Sequence, residues 1–134
     1  MKLLFDTHIL LWSLTESERL PLRMKDAIEE KSNDLWLSPI TTWEILMLSE
    51  KGRIQIARDD SAIWIKNLLK TLPFKEAPLN HEVAIKSRQI DLPHQDPADR
   101  FLVATAIIYN LTLLTVDEKI LANDHHQICF KTNV

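Results

Sequence analysis

The sequence contains a single glycine, Gly52, among its 134 residues. Phosphate-binding loops of the G-x-G-x-x-G and P-loop types need several glycines, because those positions bring the backbone close to phosphate. Both motifs are therefore excluded. Any chemistry on a phosphate group must use cations, side chains or helix N-termini instead.

Cysteine is equally scarce, since Cys129 is the only one. No disulfide can form within the chain, which fits a reducing cytosol, and an apolar setting at 128–130 predicts a buried structural thiol. No stretch reaches the roughly 18 apolar residues of a membrane-spanning helix. The apolar N-terminal segment is interrupted by Asp6 and His8 and is followed by no small-residue cleavage site. The sequence therefore predicts a cytoplasmic protein without a membrane partner.

Positive charge is not in excess either. Sixteen Lys and Arg stand against nineteen Asp and Glu, for a net charge of −3. This balance does not indicate a basic nucleic-acid-binding protein, although bound divalent cations would reverse the local field at an acidic site. The hydrophobic fraction of 46% and the charged fraction of 26% are ordinary for a globular protein. The length favours one domain over residues 1–134.

Apolar patterns along the chain predict alternating strands and helices. Strands are predicted over 2–6, 34–38, 111–116 and 126–131, and helices over 20–32, 39–51, 61–72, 81–90 and 97–110. Ser38-Pro39 and Gly52 mark the start and end of one helix, and Asn80 is a predicted N-cap. This alternation favours an α/β fold with a parallel sheet covered on both faces. In such sheets, ligands bind beyond the carboxyl ends of the strands, near the topological switch point.

Four acidic residues fall at those predicted strand ends or near the starts of neighbouring helices. Asp6 ends the first strand, Asp117 follows the strand 111–116, and Glu44 and Asp99 lie near helix starts. Crowded carboxylates repel, so they stay protonated or bind a cation, and oxygen-only ligands suit Mg²⁺ or Mn²⁺. Two such ions can activate water and stabilise the leaving oxygen of a phosphodiester. The four acids are therefore candidate catalytic and metal-binding residues.

Each acid also has a purely structural interpretation. Glu44 completes a T-x-x-E capping-box pattern, and Asp96 before proline is typical of an N-cap. Asp99 at the third helical position and Asp117 before a short apolar segment both suit helix N-termini. Asp6 is the hardest to explain in this way, because it interrupts an apolar segment where an unpaired carboxylate would be costly.

Four segments resemble the PIN domain family when taken together in this order and spacing: KLLFDTHILLW, SPITTWEI, DPADRFLVATA and LLTVDEKI. They are most similar to the small stand-alone VapC-type toxins of bacterial toxin–antitoxin pairs. No one segment is specific, but the ordered set extends over nearly the whole chain. The resemblance implies a three-layer αβα sandwich with a central, mainly parallel sheet. It also implies Mg²⁺- or Mn²⁺-dependent endoribonuclease activity and inhibition by a small antitoxin.

Carried over by matching position, the resemblance makes Asp6, Glu44, Asp99 and Asp117 the catalytic, metal-holding acids. Two further residues are expected close to them, Thr115 as a hydroxyl near the metal and Asp96 as the cap of its helix. Homodimers are frequent in the family, so a homodimer is a further expectation.

Three basic residues are candidates for contact with RNA. Arg100 follows Asp99 and points to another helical face, where a surface ion pair is the favoured interpretation over a phosphate contact. Lys51 and Arg53 flank Gly52 at a helix end, which suits cations, and extend a candidate RNA-binding rim. The four tryptophans are expected in the core, with one allowed on a partner-binding face. The histidines show no metal-binding spacing and are treated as non-ligands: His8, His81, His94, His125 and His126.

The sequence therefore predicts a metal-dependent endoribonuclease that is the toxin of a toxin–antitoxin pair. Two alternatives stay open. A PIN-like interaction domain without catalysis would keep the fold and fail to bind Mn²⁺. A receiver-like phospho-acceptor module would share the sheet and the acidic cluster, but it needs adjacent acids after the first strand and a late lysine. Here only Asp6 follows the first strand, and no lysine ends the strand 111–116.

Overall fold

The computed structural model describes residues 1–56, 60–93 and 95–132. In these ranges the chain forms four strands: β1 (Lys2–Phe5), β2 (Asp34–Leu37), β3 (Phe74–Glu76) and β4 (Thr112–Leu114). Around them it forms seven α-helices: α1 (Thr7–Thr15), α2 (Leu22–Glu29), α3 (Pro39–Glu50), α4 (Ser61–Thr71), α5 (His81–Gln89), α6 (Pro97–Tyr109) and α7 (Glu118–Ala122). A 3₁₀-helix spans Ser17–Arg19. No helix of these described ranges is both long and apolar enough to cross a membrane.

The strands form one parallel sheet in the order β3-β2-β1-β4. Leu3 on the inner strand β1 pairs with Leu35 on one side and with Thr112 on the other. The chain builds outwards from β1 to β3 and then crosses to the opposite side of β1 to form β4. The topological switch point therefore lies between β1 and β4, and the predicted parallel sheet is confirmed.

Alternate residues of β1 pack into two separate cores. Leu3 and Phe5 lie in the core that contains Met24 of α2 and Ile65 of α4, whereas Leu4 lies in the core under α6. All three β1 side chains are essentially inaccessible to solvent. A sheet with helices packed on both faces is the three-layer αβα arrangement that the sequence predicted.

Helix α3 begins and ends where its sequence predicted. Ser38 is the N-cap, and its hydroxyl accepts a hydrogen bond from a first-turn amide. At the other end Gly52 has φ 70°, a left-handed conformation that glycine adopts readily. The amide of Arg53 donates to Leu48 O at 2.9 Å and that of Gly52 to Ser49 O at 3.1 Å. These two bonds form a Schellman cap, so the rim residues Lys51 and Arg53 sit on a rigid turn.

The predicted strand over 126–131 is wrong. Only an isolated bridge between Cys129 and Leu113 forms there. Gln127 has φ 56°, which interrupts an extended backbone, and the amide of Cys129 donates to the Asp124 carboxylate at 3.0 Å. Cys129 itself is buried as predicted, and burial raises the pKa of its thiol to about 12.

Helix α1 and strand β3 are absent from the sequence prediction. Helix α1 has an unbroken apolar stretch in place of a helical period, and β3 is a three-residue strand with two exposed residues. Ala84, which was expected to face inwards on α5, is exposed, whereas Val83 and Ile90 are buried. Asn80 caps α5 as predicted, accepting from the amide of Val83 at 3.0 Å.

Candidate active site

The candidate site lies at the topological switch point, where the carboxyl ends of β1 and β4 meet. Asp6 directly follows β1, and its amide donates to Leu114 O of β4 at 3.1 Å. Thr115 directly follows β4, and Asp117 comes two residues later. Two segments far apart in sequence are thereby brought side by side, at the position where doubly wound sheets bind their ligands.

Asp6 is a buried carboxylate, with only 8% of its surface exposed. One oxygen accepts from the amide of His8 at 2.9 Å, which makes Asp6 the N-cap of α1. The other accepts from the Thr115 hydroxyl at 2.7 Å. Burial raises the pKa of Asp6 despite these two bonds, and the nearby charge of Asp117 acts in the same direction. A carboxylate held under these conditions is suited to a cation.

Thr115 joins Asp6 to Asp117. It is 1% exposed, and its hydroxyl oxygen also accepts from the amide of Asp117 at 3.1 Å. Asp117 caps α7 through amides of Lys119 and Ile120 at 2.8 and 3.2 Å, so the structural interpretation of this aspartate is confirmed. The capping bonds fix the orientation of the carboxylate beside Asp6.

Glu44 reaches the same area from α3. It is half-buried, and the hydroxyl of Thr7 donates to its Oε1. Burial raises the pKa of Glu44, and the charges of Asp96 and Asp6 raise it further. Glu44 is therefore electrostatically coupled to the start of α6 on one side and to the end of β1 on the other.

The capping-box interpretation of Glu44 is wrong. The N-cap of α3 is Ser38, three residues before Thr41, so Glu44 lies in the second turn and not at the position that a capping box requires. The buried Thr41 hydroxyl instead donates to the carbonyl of Phe5 at 3.4 Å. This leaves the Glu44 carboxylate turned towards Thr7 and the other acids.

The start of α6 carries two more acids, Asp96 and Asp99. Asp96 accepts from the amide of Ala98 at 3.0 Å and is followed by Pro97, which confirms the predicted N-cap. Asp99 is half-buried in the first turn of the same helix, three residues further on. Because the charge of Asp96 raises the pKa of Glu44, the N-terminus of α6 lies near the cluster. His94, which was treated as a non-ligand, lies outside the described residues.

Arg100 does not lie on the surface, so the predicted surface ion pair is wrong. Its side chain is buried, and the residue is 6% exposed. The guanidinium donates to the carbonyls of Ser87, Leu92 and Ile90 at 2.9, 2.6 and 3.3 Å. It therefore ties α6 to the end of α5, and a side chain this buried offers RNA little surface to bind.

The remaining predicted RNA contacts, Lys51 and Arg53, are exposed at the end of α3. Arg53 lines a groove that also includes His8, the residue after Thr7 in α1. The groove therefore joins this rim to His8, a neighbour of the carboxylate cluster. A role for either cation in binding RNA stays a prediction.

The donor chemistry of the cluster fits a hard divalent cation. Asp6, Glu44 and Asp117 offer oxygen only. The charge of Asp117 raises the pKa of Asp6, and the charge of Asp6 raises that of Glu44, a repulsion that a cation would relieve. Within the described ranges, however, no three His, Cys, Asp or Glu side chains already form a group that could hold a metal ion. Each of two threonine hydroxyls holds one carboxylate, Thr115 that of Asp6 and Thr7 that of Glu44.

Thr7 and His8 are functional candidates that sequence reasoning missed. Thr7 is completely buried yet polar, and it holds Glu44. His8 is exposed, and its charge lowers the pKa of both Asp6 and Glu44, against the larger effect of burial. Their signal was their place in the DTH stretch directly after a strand, although neither has metal-binding spacing.

A doubly wound parallel sheet with an acidic cluster at its switch point is typical of α/β proteins that bind a ligand at that point. Comparison with known proteins identifies the family. The sequence model of the PIN domain family matches residues 3–125, and the chain belongs to this family. One relative is Ribonuclease VapC22 of Mycobacterium tuberculosis (strain ATCC 25618 / H37Rv). It is 30% identical over 125 residues, which are 91% of this chain and 92% of the relative.

Solved structures share the fold at lower identity. One is VapBC2 from Rickettsia felis, solved bound to a promoter DNA fragment. It matches with a TM-score of 0.70 and 14% identity, over 97% of this chain and 98% of the other. FitAcB from Neisseria gonorrhoeae matches with a TM-score of 0.65 and 23% identity over 97% of both chains. These two likenesses confirm the three-layer fold.

Proposed function

We propose that the protein is an endoribonuclease that hydrolyses RNA phosphodiester bonds with Mg²⁺ or Mn²⁺, and that it is the toxin of a toxin–antitoxin pair acting in the cytoplasm. The observation that carries this proposal is Asp6, a buried carboxylate at the switch point whose pKa is raised by burial and by Asp117. Membership in the PIN domain family, and a relative named a ribonuclease, support the choice of reaction.

In this proposal Asp6, Asp99 and Asp117 would hold the cations, and Glu44 would complete the site or orient the attacking water. Bound divalent cations supply electrostatic stabilisation of the phosphodiester and make water a better nucleophile. The water attacks phosphorus in line, and the 3′ oxygen leaves, giving a 5′ phosphate. Thr115 and Thr7 act as positioning residues, because they hold the carboxylates of Asp6 and Glu44.

A small antitoxin and a second copy of the chain are the proposed protein partners. Support comes from neighbours of the same fold that were solved as VapBC2 and FitAcB. Trp43 of α3 is 54% exposed, which fits the allowance for one tryptophan outside the core, and Ile63 of α4 is 56% exposed. Exposed large apolar side chains of this kind suit a protein interface.

The decisive experiment is a cleavage assay on purified protein freed of any partner, with cellular RNA and Mn²⁺, Mg²⁺ or EDTA. We expect cutting that requires a divalent cation and that falls by at least about 10²- to 10³-fold in Asp6→Asn. Asp60→Asn is the matched control, because Asp60 is also an N-cap aspartate but lies exposed at α4. This control variant should cut like the unmodified protein.

Unchanged cutting by a folded Asp6→Asn variant would remove Asp6 from the mechanism. Neither cutting nor Mn²⁺ binding by the unmodified protein would favour the catalytically silent interaction domain. Mn²⁺ binding can be followed by calorimetry, which separates loss of the cation from loss of the chemical step.

A further inference from the structure

A groove of about 560 Å³ runs beside α1, away from the carboxylate cluster. One side includes His8, Trp12 and Arg19, from α1 and the 3₁₀-helix that follows it. The other is formed by Arg53 and residues 54–56, directly after the Schellman cap of α3. His8 links the groove to the cluster, because it lines the groove and its amide is bonded to Asp6.

Three planar side chains, those of His8, Trp12 and Arg19, lie next to one another along this groove. The rings of His8 and Trp12 are 6.1 Å apart between centroids, and Cζ of Arg19 lies 4.3 Å from the centroid of Trp12. Trp12 is half-buried against the core, whereas the Arg19 side chain is 54% exposed. The carboxylate of Glu16 forms an ion pair with the Arg19 guanidinium at 3.0 Å. The indole and the guanidinium are thus already stacked on a rigid base.

The Arg19 guanidinium, held over the Trp12 indole, is suited to stack with an unpaired nucleobase. Bases that are not in a duplex stack on aromatic rings and on arginine planes, whatever their identity. The charge of the groove points the same way, since its lining among the described residues has two arginines, Arg19 and Arg53, and one acid, Glu16, on a protein of net charge −3. Cations beside an acidic cluster attract the phosphates that flank the bond to be cut.

We propose that this groove binds single-stranded RNA next to the scissile phosphate. One base stacks against the Trp12–Arg19 pair, and a backbone phosphate contacts Arg53. The inference rests on the proposed ribonuclease function and deepens it, because it names the part of the surface that holds the substrate. It favours single strands over duplexes, since the stacked base must be unpaired.

The test measures RNA binding apart from cutting. A short single-stranded RNA that carries 2-aminopurine is titrated with protein in the Asp6→Asn background, where the RNA stays intact. We expect Trp12→Leu to raise the Kd for RNA by about 5- to 150-fold and to abolish the quenching of 2-aminopurine that stacking causes. Trp12→Phe should recover part of both signals. Trp64→Leu is the matched control, a tryptophan that is half-buried against the same core as Trp12 but does not line the groove, and it should bind RNA normally.

The possible failures are distinguishable. Equal RNA affinity in Trp12→Leu and Trp64→Leu, with cutting intact when Asp6 is present, overturns the role of the groove and leaves the ribonuclease function standing. Absence of both RNA binding and cutting in the unmodified protein overturns both. Unchanged RNA affinity with weaker capture of a co-produced protein partner assigns the groove to that partner instead.

A folding check accompanies the series, by urea unfolding of each variant. If Trp12→Leu does not fold, the exposed positions carry the test through Arg19→Gln and Arg53→Gln. Each should weaken binding and reduce the salt dependence of log Kd by about one unit of slope. Unchanged affinity and slope in both variants overturn the proposal.

Discussion

The carboxylate cluster and the junction of α5 with α6 both bury a charged side chain, but they treat it differently. Arg100 at the junction is 6% exposed, and three backbone carbonyls accept from it. Asp6 in the cluster is 8% exposed and is bonded to Thr115 and His8, yet burial still raises its pKa. A buried charge whose hydrogen bonds offset the cost of burial joins two elements. A buried carboxylate whose ionisation is still disfavoured is available to bind a cation.

The largest expected effect on stability is at the junction. Arg100→Met removes the donors of three carbonyls and should lower the free energy of unfolding by about 3–5 kcal/mol. Urea unfolding monitored by circular dichroism measures this loss. Arg88→Met, at an exposed position of α5, is the control and should change stability by less than about 0.5 kcal/mol. Equal stability of the two variants would mean that Arg100 is not a structural tie.

A smaller effect, on activity, is expected at the cluster. Thr115→Val removes the donor to Asp6 and the acceptor of the Asp117 amide, and should lower kcat by about 10- to 100-fold. Thr105→Val is the matched control. Thr105 is also fully buried, but its hydroxyl bonds only to Phe101 O of its own helix at 2.7 Å. If both valines reduce kcat equally, the loss reflects packing and Thr115 does not position the aspartate.

The smallest expected effect is a pH dependence of stability that arises from Asp6. Because the pKa of Asp6 is raised on folding, its contribution to stability is fully present below its unfolded pKa and is lost as pH rises through the folded value. In EDTA, Asp6→Asn should therefore gain stability relative to the unmodified protein from about pH 4 upwards, by about 1.4 kcal/mol per unit of pKa shift. Urea unfolding across this range measures the difference. A constant difference would show that burial does not disfavour the Asp6 charge.

Much of the fold could be predicted because its signals are local. Ser38 before proline, Gly52 at φ 70° and Asn80 as an N-cap give the bounds of their helices to within about a turn. The parallel sheet followed from the alternation of strands with helices. The position of the acids at strand ends then followed from the geometry of such sheets, before any contact was known.

The errors arose where tertiary contacts override local pattern. Helix α1 is apolar along most of its length because it packs on the sheet beside other helices, so its sequence shows no clear period. Arg100 was placed at the surface because most arginines are exposed, and the three carbonyls that receive it come from residues 87–92, at the end of α5 and just beyond it. The pairing of Thr7 with Glu44 joins residues 37 positions apart and leaves no local trace.

The hydrogen bond between Thr115 and Asp6 closes a loop of 109 residues. During synthesis, β1 emerges from the ribosome first and β4 emerges only after the intervening helices, so the two halves of the site meet late. Contacts this distant in sequence also form slowly, since loop closure must precede them. An unfinished chain thus carries Asp6 without its partners, and a nuclease built in this way has no assembled site until nearly all of its fold has been made.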